Sequence, residues 1–528
     1  MSKNKIEFSR RQFCKLTGAT ALSCMIPALG AKPNKALLDR IVKKKKPNLL
    51  FVFSDQHSRD IMGCYGNRDI LTPNLDNFAK EGVKFEHCIS SSPVCTPYRG
   101  MLMSGQHCLY NGTIDNDVPL LANNGKYFGH VLKDAGYKTG YIGKWHLFGG
   151  DRNRPIPAGD MRYGFDEIFL SNNCTVNFNQ TDECYYWNEN GEKVLFNEWE
   201  VYGQTKQAFQ FLDECSPESK DPFALFVSWH PPHDDGIHED SLVYKYNTIP
   251  ELLNLYDPDK IHLRPSVEDI PHVREAYQGY YGMISGIDTA FGWLMKKLRD
   301  KGLDKNTIVV YTSDHGDNLH SYNYAIPKNH PEDTSVRVPL LMRFPDHIQQ
   351  NSSSQLLVNP MDIMPTILGF MGLNIPGTVQ GQDLSSAIIN RKDDVVDSVP
   401  LFFHNPAWRG VCTRRYTYGF GTVKHFAHGN NGKLTMKSFP IKVLYDRQDD
   451  PYQLKNLYGE KSVASLQKEM ERLTRKWLDY FEDPGVELSF EELSRIYSYS
   501  DGQFPSDTQE PGFKGRPIDV INQFYKSR

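Results

Sequence analysis

A cysteine and an arginine lie four residues apart in the stretch Cys95-Thr-Pro-Tyr-Arg99. Pro97 suits the first turn of a helix, because its missing N–H would have no partner there. Cys95 would then lie at a helix N-terminus, where the dipole and the free N–H groups favour an oxyanion. Arg99 would lie on the same helix face one turn later. The stretch predicts a nucleophile beside a cation; a buried, inert cysteine before a helix is the alternative.

Side chains of catalytic and metal-binding types follow four predicted strands, at the point where each strand ends. The strands are predicted from the apolar runs 49–53, 139–142, 223–229 and 307–311. The residues that follow them are Asp55-Gln56, Lys144 with His146, His230 with His233, and Asp314-His315. Strands that alternate with helices indicate a mainly parallel sheet, in which sites collect beyond the carboxyl ends of the strands. We therefore expect one composite site built from distant segments.

The element pattern predicts an α/β fold with a large, mainly parallel sheet sandwiched by helices. Helices are predicted over 76–82, 125–136 and 281–302. A chain of 528 residues, 39% of them hydrophobic, is long enough for a large core and two domains. We expect a catalytic domain over 47–390 and a smaller C-terminal α+β domain over 391–528.

Two further stretches of the sequence have a pattern that predicts their local structure. Beyond residue 390, strands are predicted over 411–420 and 441–445, and the apolar spacing from Leu466 to Trp477 predicts an amphipathic helix. Residues 151–222 are polar, aromatic and irregular, which predicts loops near the pocket.

With these residues in place, the chain resembles the type I sulfatases of the alkaline-phosphatase superfamily along nearly its whole mature length. Besides Cys-x-Pro-x-Arg at Cys95, the resemblance is carried by residues 72–76, 143–147, 312–316, 335–341, 444–446 and 450–457. It implies hydrolysis of a sulfate monoester, on a sulfated carbohydrate by the habit of the family. It also implies that a formylglycine-generating enzyme oxidises Cys95 to 3-oxoalanine (Cα-formylglycine). The hydrated aldehyde offers one hydroxyl to attack the ester and one to collapse the covalent intermediate.

The resemblance also implies a metal site. Its ligands would be Asp55, Gln56, Asp314 and His315, with the modified Cys95 completing the shell. The hard oxygen donors favour Ca²⁺, whereas His315 leaves Mn²⁺ or another divalent ion open.

Catalytic roles follow in the same way. Arg99 would anchor the modified residue, and Lys144 and Lys328 would neutralise sulfate oxygens in the transition state. His233 would protonate the leaving alcohol, and His146 would take a proton from the second hydroxyl.

One stretch departs from the family pattern. Many sulfatases carry Gly-x-His-Gly before the lysine, whereas this chain has Leu319-His-Ser-Tyr-Asn-Tyr-Ala-Ile-Pro-Lys328. The assignment of Lys328 therefore depends on the register of the following Arg337-Val-Pro, and the role of His320 stays open. His230 is left outside the predicted set, because a lone histidine is more often a hydrogen-bonded core or surface residue than a catalyst.

Two other functions remain open at this point. A phosphonate monoester or phosphodiester hydrolase of the same superfamily also uses formylglycine, with Asp-Gln and Asp-His as ligands. An inactive homologue that binds glycans is the second. The Trp145-His146-Leu147 context and the C-terminal domain favour a sulfatase, and the retention of Cys95 and Arg99 argues against an inactive protein.

The N-terminus predicts export. Residues 9–15, Ser-Arg-Arg-Gln-Phe-Cys-Lys, match the twin-arginine pattern and precede a short, weakly apolar run. We expect residues 1–31 to be a twin-arginine signal peptide for the Tat machinery and residues 32–46 a linker. The protein would be exported, to the periplasm, without a stable membrane span. The formal net charge of -4 does not indicate nucleic-acid binding.

Cysteine usage suggests one disulfide. Cys174 and Cys184 flank a short polar loop, and an oxidising compartment would permit their pairing.

Overall fold

The computed structural model describes most of the chain. The described residues are 45–486 without 123, 175–183, 239–242, 324–325, 405–406 and 429–433. The predicted signal peptide and all but the last two residues of the predicted linker lie outside them. None of the described helices is both long enough and apolar enough to cross a bilayer.

The strands and helices alternate through most of the chain, as the sequence predicts. The strands are β1 (Asn48–Ser54), β2 (Val83–Ile89), β3 (Lys138–Lys144), β4 (Ile168–Asn172), β5 (Tyr185–Trp187), β6 (Lys193–Leu195), β7 (Phe223–Trp229), β8 (Thr307–Ser313), β9 (Arg337–Val338), β10 (Leu340–Arg343), β11 (Ser352–Val358), β12 (Val399–His404), β13 (Ala407–Cys412), β14 (Tyr416–His428) and β15 (Leu434–Asp446). The α-helices are α1 (Pro73–Glu81), α2 (Cys95–Ser104), α3 (Cys108–Asn111), α4 (Phe128–Asp134), α5 (Glu200–Asp213), α6 (Pro250–Leu253), α7 (Pro271–Asp300), α8 (Asp333–Val336), α9 (Pro360–Met371), α10 (Ser385–Asn390) and α11 (Ala464–Phe481).

The large sheet confirms the predicted fold class. Its strand order is β11-β2-β10-β8-β1-β7-β3-β4-β5-β6, with β9 paired to β2. The central strands β8, β1, β7, β3 and β4 run parallel, and the antiparallel pairs lie towards the two edges. The carboxyl ends of the central strands therefore meet on one side of the sheet, where the predicted site residues lie.

The central strand β1 shows why the strands of this sheet appear in the sequence as continuous apolar runs. Leu49, Phe51 and Phe53 pack into one core, whereas Leu50 and Val52 pack into another on the opposite face. Alternate residues of a strand point to opposite faces, so a strand covered by helices on both sides has no solvent-exposed face. Each strand end is consequently held rigidly at the edge where the site lies.

The prediction of loops over 151–222 is wrong. This stretch contains β4, β5 and β6, which extend the sheet, and the helix α5. The inward side of α5 buries Glu200, Gln204 and Thr205 beside its apolar residues. Because those buried polar residues interrupt the apolar periodicity, the helix was not visible in the sequence.

Other predicted elements differ in their bounds. The long helix begins ten residues earlier than predicted, at Pro271, which occupies its first turn. The single strand predicted over 411–420 is two strands, β13 and β14, joined by a turn.

A second, antiparallel sheet follows, in the order β12-β13-β14-β15, with α11 packed against it through Met470 and Leu473. The predicted domain boundary falls directly after α10 and stays a prediction. This C-terminal sheet contacts the chain segments that carry the site. The Phe402 N–H donates to the Ser91 carbonyl (2.8 Å), and the Trp408 indole N–H donates to the Asn329 carbonyl (2.9 Å). The smaller sheet therefore supports the loops that precede Cys95 and follow Lys328.

Candidate active site and metal centre

The predicted site residues converge on Cys95. It begins α2 and is 1% exposed. Its Sγ lies 3.3 Å from His315 Nε2, 3.4 Å from Lys144 Nζ and 3.6 Å from Lys328 Nζ. Burial alone would raise the pKa of the Cys95 thiol, but the positive charges of Lys144 and Lys328 outweigh it and hold that pKa well below its usual range. The position therefore stabilises a negatively charged group.

A cluster of buried donors surrounds the same sulfur. Single donor atoms of Asp55, Cys95, Asp314 and His315 all lie within 4.8 Å of one another. His315 Nδ1 donates to the Gly316 carbonyl (2.9 Å), so its Nε2 lone pair faces Asp55 Oδ1 at 3.4 Å. Burial and the neighbouring Asp55 raise the pKa of Asp314. Two buried carboxylates this close are destabilised by each other, so the residues fit a divalent cation with hard donors.

Gln56 belongs to the same centre through the orientation of its amide. Its Nε2 donates to Asp317 Oδ2 (2.8 Å) and to Asp234 Oδ2 (3.2 Å). Since carboxylates only accept, Oε1 must point the other way, where it accepts from Lys328 Nζ at 2.9 Å. The two aspartates thus present the amide oxygen to the site, as a metal ligand requires. Asp317 lies three residues after Asp314, so its position next to the Asp-His-Gly motif was a sequence signal for a site residue. Asp234 had no such signal apart from its position next to His233.

Arg99 connects the strand ends beneath the nucleophile. Its Nε and one terminal nitrogen donate to Asp314 Oδ2 at 3.1 and 3.0 Å. Its other terminal nitrogen donates to the Lys144 carbonyl (2.7 Å) and to Ser228 Oγ (2.8 Å). The guanidinium is fully buried, so it fixes the positions of β3, β7 and β8 at the site as well as neutralising a carboxylate.

The two lysines are held differently. Lys144 is fully buried and its Nζ donates to Asp55 Oδ2. Lys328 Nζ lies 2.9 Å from His233 Nε2. His233 Nδ1 donates to the Asp234 carbonyl (2.8 Å), which leaves Nε2 directed at the lysine. The structure therefore pairs Lys328 with His233.

His146 is held by a residue that the sequence analysis missed. Its Nε2 donates to Asp117 Oδ1 at 2.9 Å, and Arg152 forms two hydrogen bonds to the same carboxylate. Burial would lower the pKa of His146, but Cys174 and Asp117 raise it above its usual range. Asp117 lies in a turn 22 residues after Cys95 with no motif around it, so no sequence signal was available.

Two of these residues have a strained backbone. Gln56 and His146 adopt positive φ angles of 70° and 56°, in the left-handed region that non-glycine residues rarely occupy. Such strain persists where surrounding contacts over-determine a conformation, as they do for both residues here.

The structure also locates two histidines to which the sequence gave no role. His230, left outside the predicted set, is fully buried at the end of β7, with its ring 5.3 Å from that of His233. Burial and the neighbouring Lys144 lower its pKa well below the usual value. His320 accepts a hydrogen bond from Tyr244 N–H (3.1 Å), which directs its ring to the segment that follows His233.

The predicted disulfide is wrong. Cys174 and Cys184 are both buried free thiols. Cys184 packs in the core with Tyr186 and Trp199. Cys174 lies near His146; burial would raise its thiol pKa, but His146 and Lys144 lower it to about 6. Flanking one loop does not fix the direction of a side chain, and these two face different surroundings.

Comparisons with known proteins agree with this geometry. Residues 47–373 match the model of the sulfatase family, and residues 327–478 match the C-terminal model of N-sulphoglucosamine sulphohydrolase. An ulvan-active sulfatase of Formosa agariphila is 30% identical, over 90% of this chain and 88% of that protein. An endo-4-O-sulfatase of Bacteroides thetaiotaomicron is 29% identical, over 84% of this chain and 94% of that protein. A crystal structure described as the sulfatase YidJ of Bacteroides fragilis superposes with a TM-score of 0.71 at 30% identity, covering 84% of this chain and 97% of that one.

Proposed function

The chain belongs to the sulfatase family and is a sulfuric ester hydrolase, and we propose that its substrate is a sulfated carbohydrate. The main observation in support of this reaction is that the positive charges of Lys144 and Lys328 lie close to Cys95, beside a buried cluster of donors that fits a divalent ion. The relatives support the carbohydrate, because they include an N-acetylglucosamine-6-O-sulfatase of Bacteroides thetaiotaomicron that is 23% identical over 83% of this chain.

We also propose that Cys95 is converted to formylglycine and that the cation is Ca²⁺, with Mn²⁺ as the alternative. The hydrated aldehyde would supply the nucleophilic oxygen, and the cation would withdraw charge from the sulfate oxygens. Asp55, Gln56, Asp314 and His315 would hold the cation. The oxygen donors among them support Ca²⁺.

The chain's own residues provide the remaining chemistry. Lys144 and Lys328 stabilise the charge that develops on the sulfate oxygens, in a buried site where such interactions are strong. His233 Nε2 accepts a hydrogen bond from Lys328 Nζ, so this pair would hold the proton that passes to the leaving alcohol oxygen. His146 uses Nε2 to bind Asp117, and its buried Nδ1 has no hydrogen-bond partner among the described residues. Nδ1 is therefore the ring atom that would accept the proton of the second hydroxyl, and Asp117 would stabilise the imidazolium that results.

The test is release of inorganic sulfate from sulfated mono-, di- and polysaccharides, with phosphonate and phosphate esters run in parallel. Protein is loaded with Ca²⁺, and the mass of the Cys95 peptide is measured to establish conversion. We expect sulfate release that Cys95→Ala abolishes. Cys215→Ala is the matched control, because Cys215 is also a buried free thiol but packs in a core away from the site.

Two outcomes would contradict the proposal. Turnover of phosphonate esters without sulfate release would assign the protein to the phosphonate hydrolases. An unconverted Cys95 in protein from the native host, with no hydrolysis of any ester, would indicate a binding protein instead.

We further propose export through the twin-arginine pathway to the periplasm, supported by the motif over 9–15. Replacement of Arg10 and Arg11 by lysine should retain the protein in the cytoplasm, whereas replacement of Lys3 by arginine should not. Periplasmic protein in the double variant would contradict this.

A further inference from the structure

A second cluster of metal-binding side chains lies on the surface, outside the site described above. Donor atoms of His238, His272 and Glu275 all lie within 4.8 Å of one another. His272 Nδ1 is 3.1 Å from Glu275 Oε2, and the rings of His238 and His272 stack with centroids 4.3 Å apart at 17°. The three side chains therefore form one compact group.

The group is built from two independent parts of the fold. His272 and Glu275 are three residues apart near the start of α7, which places them on the same helix face. His238 comes from the segment that follows β7. The His272 side chain is 36% exposed and that of Glu275 59%, so an ion can reach the group from solvent.

We propose that His238, His272 and Glu275 form a second metal site that binds Zn²⁺ or a similar transition-metal ion. Two imidazoles and one carboxylate are a donor set that transition metals prefer, whereas the oxygen-rich centre around Asp55 suits Ca²⁺. Three protein ligands would leave a fourth position for water. Ligand bonds of about 2 Å require the donor atoms to move closer together, which rotations of these partly exposed side chains allow.

The site would fasten the segment that carries the proton donor. After His233, the chain forms a hairpin in which Asp235 N–H donates to the Lys245 carbonyl (2.8 Å) and Lys245 N–H to the Gly236 carbonyl (2.9 Å). His238 N–H donates to the Val243 carbonyl (2.7 Å) at the far end of the described part of this hairpin. An ion bound by His238 and α7 would hold that far end against the main body of the protein.

The site can be tested without reference to activity. The full-length protein, saturated with Ca²⁺, is dialysed against Zn²⁺ and analysed for bound metal, and Co²⁺ is added in parallel to record its ligand-field absorption. We expect one equivalent of Zn²⁺ and a Co²⁺ spectrum of a site with nitrogen ligands. Glu275→Gln should weaken Zn²⁺ binding at least tenfold and His272→Ala should abolish it. Hydrogen exchange over 235–245 should slow on addition of Zn²⁺ in the wild type but not in His272→Ala.

The matched control is His262→Ala. His262 is exposed and its Nδ1 lies 3.0 Å from the carboxylate of Asp69, but among the described residues no second imidazole joins this pair in a donor cluster. The control should bind Zn²⁺ as the wild type does. Folding of each variant is checked by its thermal midpoint in the absence of Zn²⁺. Unchanged Zn²⁺ affinity in a folded His272→Ala, or equal loss in His262→Ala, would overturn the proposal.

Discussion

The contact between Asp117 and His146 allows a graded test of the catalytic arrangement. Asp117→Ala removes a hydrogen bond of 2.9 Å between a carboxylate and a buried imidazole. Hydrogen bonds to charged groups contribute about 1.5–3 kcal/mol. If the bond acts on the transition state, kcat/KM should fall about 10- to 150-fold. Asp117→Asn keeps a neutral acceptor and loses only the charge, so we expect a smaller loss, of about fivefold.

The same substitutions should move the pH profile in a defined direction. The charge of Cys174 and the hydrogen bond to Asp117 raise the pKa of His146, so loss of the Asp117 carboxylate lowers that pKa. Because His146 must be neutral to accept a proton, the acid limb of kcat should move to lower pH in both variants. A merely structural role for Asp117 would reduce the amount of active protein without moving the limb.

The assay measures initial rates of sulfate release between pH 5 and 10 on protein whose Cys95 conversion has been quantified by mass. Asp151→Ala is the matched control, because its exposed carboxylate caps only the nearby Asn153 N–H. A folded Asp117→Ala with kcat/KM within twofold of the wild type and an unmoved acid limb would refute the positioning role.

Three further predictions concern the leaving group, stability and the cation. His233→Ala should reduce turnover of a sugar sulfate by about 10²–10⁴-fold, but affect nitrophenyl sulfate far less, because a good leaving group needs no proton. Burial raises the pKa of Glu200 from 4.5 to about 7, so the folded state keeps a proton that the unfolded chain loses. The free energy of unfolding therefore falls as the pH rises from 4.5 to 7. Glu200→Gln removes this loss and should raise the free energy of unfolding at pH 8 by about 3 kcal/mol. Chelation of divalent ions should abolish activity and lower the thermal midpoint, because the carboxylates of Asp55 and Asp314 then repel each other without a cation between them. Added Ca²⁺ should restore the activity and the thermal midpoint.

Each of these has a measurement that would contradict it. Equal losses for both esters would exclude His233 as the proton donor. Denaturant unfolding of Glu200→Gln with no gain at pH 8, or the same gain at pH 4, would refute the pH argument. Full activity after exhaustive dialysis against a chelator would exclude a catalytic cation.

Much of the architecture was predictable because its signals are local. A strand covered on both faces is apolar throughout, so β1, β7 and β8 were recognisable from short runs. The helix α5 could not be recognised in this way, since its buried Glu200 accepts hydrogen bonds from Gln204 and from Tyr186, and Tyr186 lies on another element.

The assignment of Lys328 shows an intermediate case. The sequence placed it only through the register of a later motif, in a stretch that departs from the family pattern. The structure places its Nζ 2.9 Å from both Gln56 Oε1 and His233 Nε2. Three segments far apart in the chain define that position, so no local pattern could have fixed it.

Short-range patterns were enough to predict the candidate site residues and the edge of the sheet at which they lie. The contacts that hold these residues became visible in the fold: Asp317 and Asp234 orient Gln56, Asp117 binds His146, and Cys174 is a free thiol. The physical reason is that side-chain direction and charge balance depend on neighbours brought together by the packing of the sheet, and those neighbours are distant in sequence.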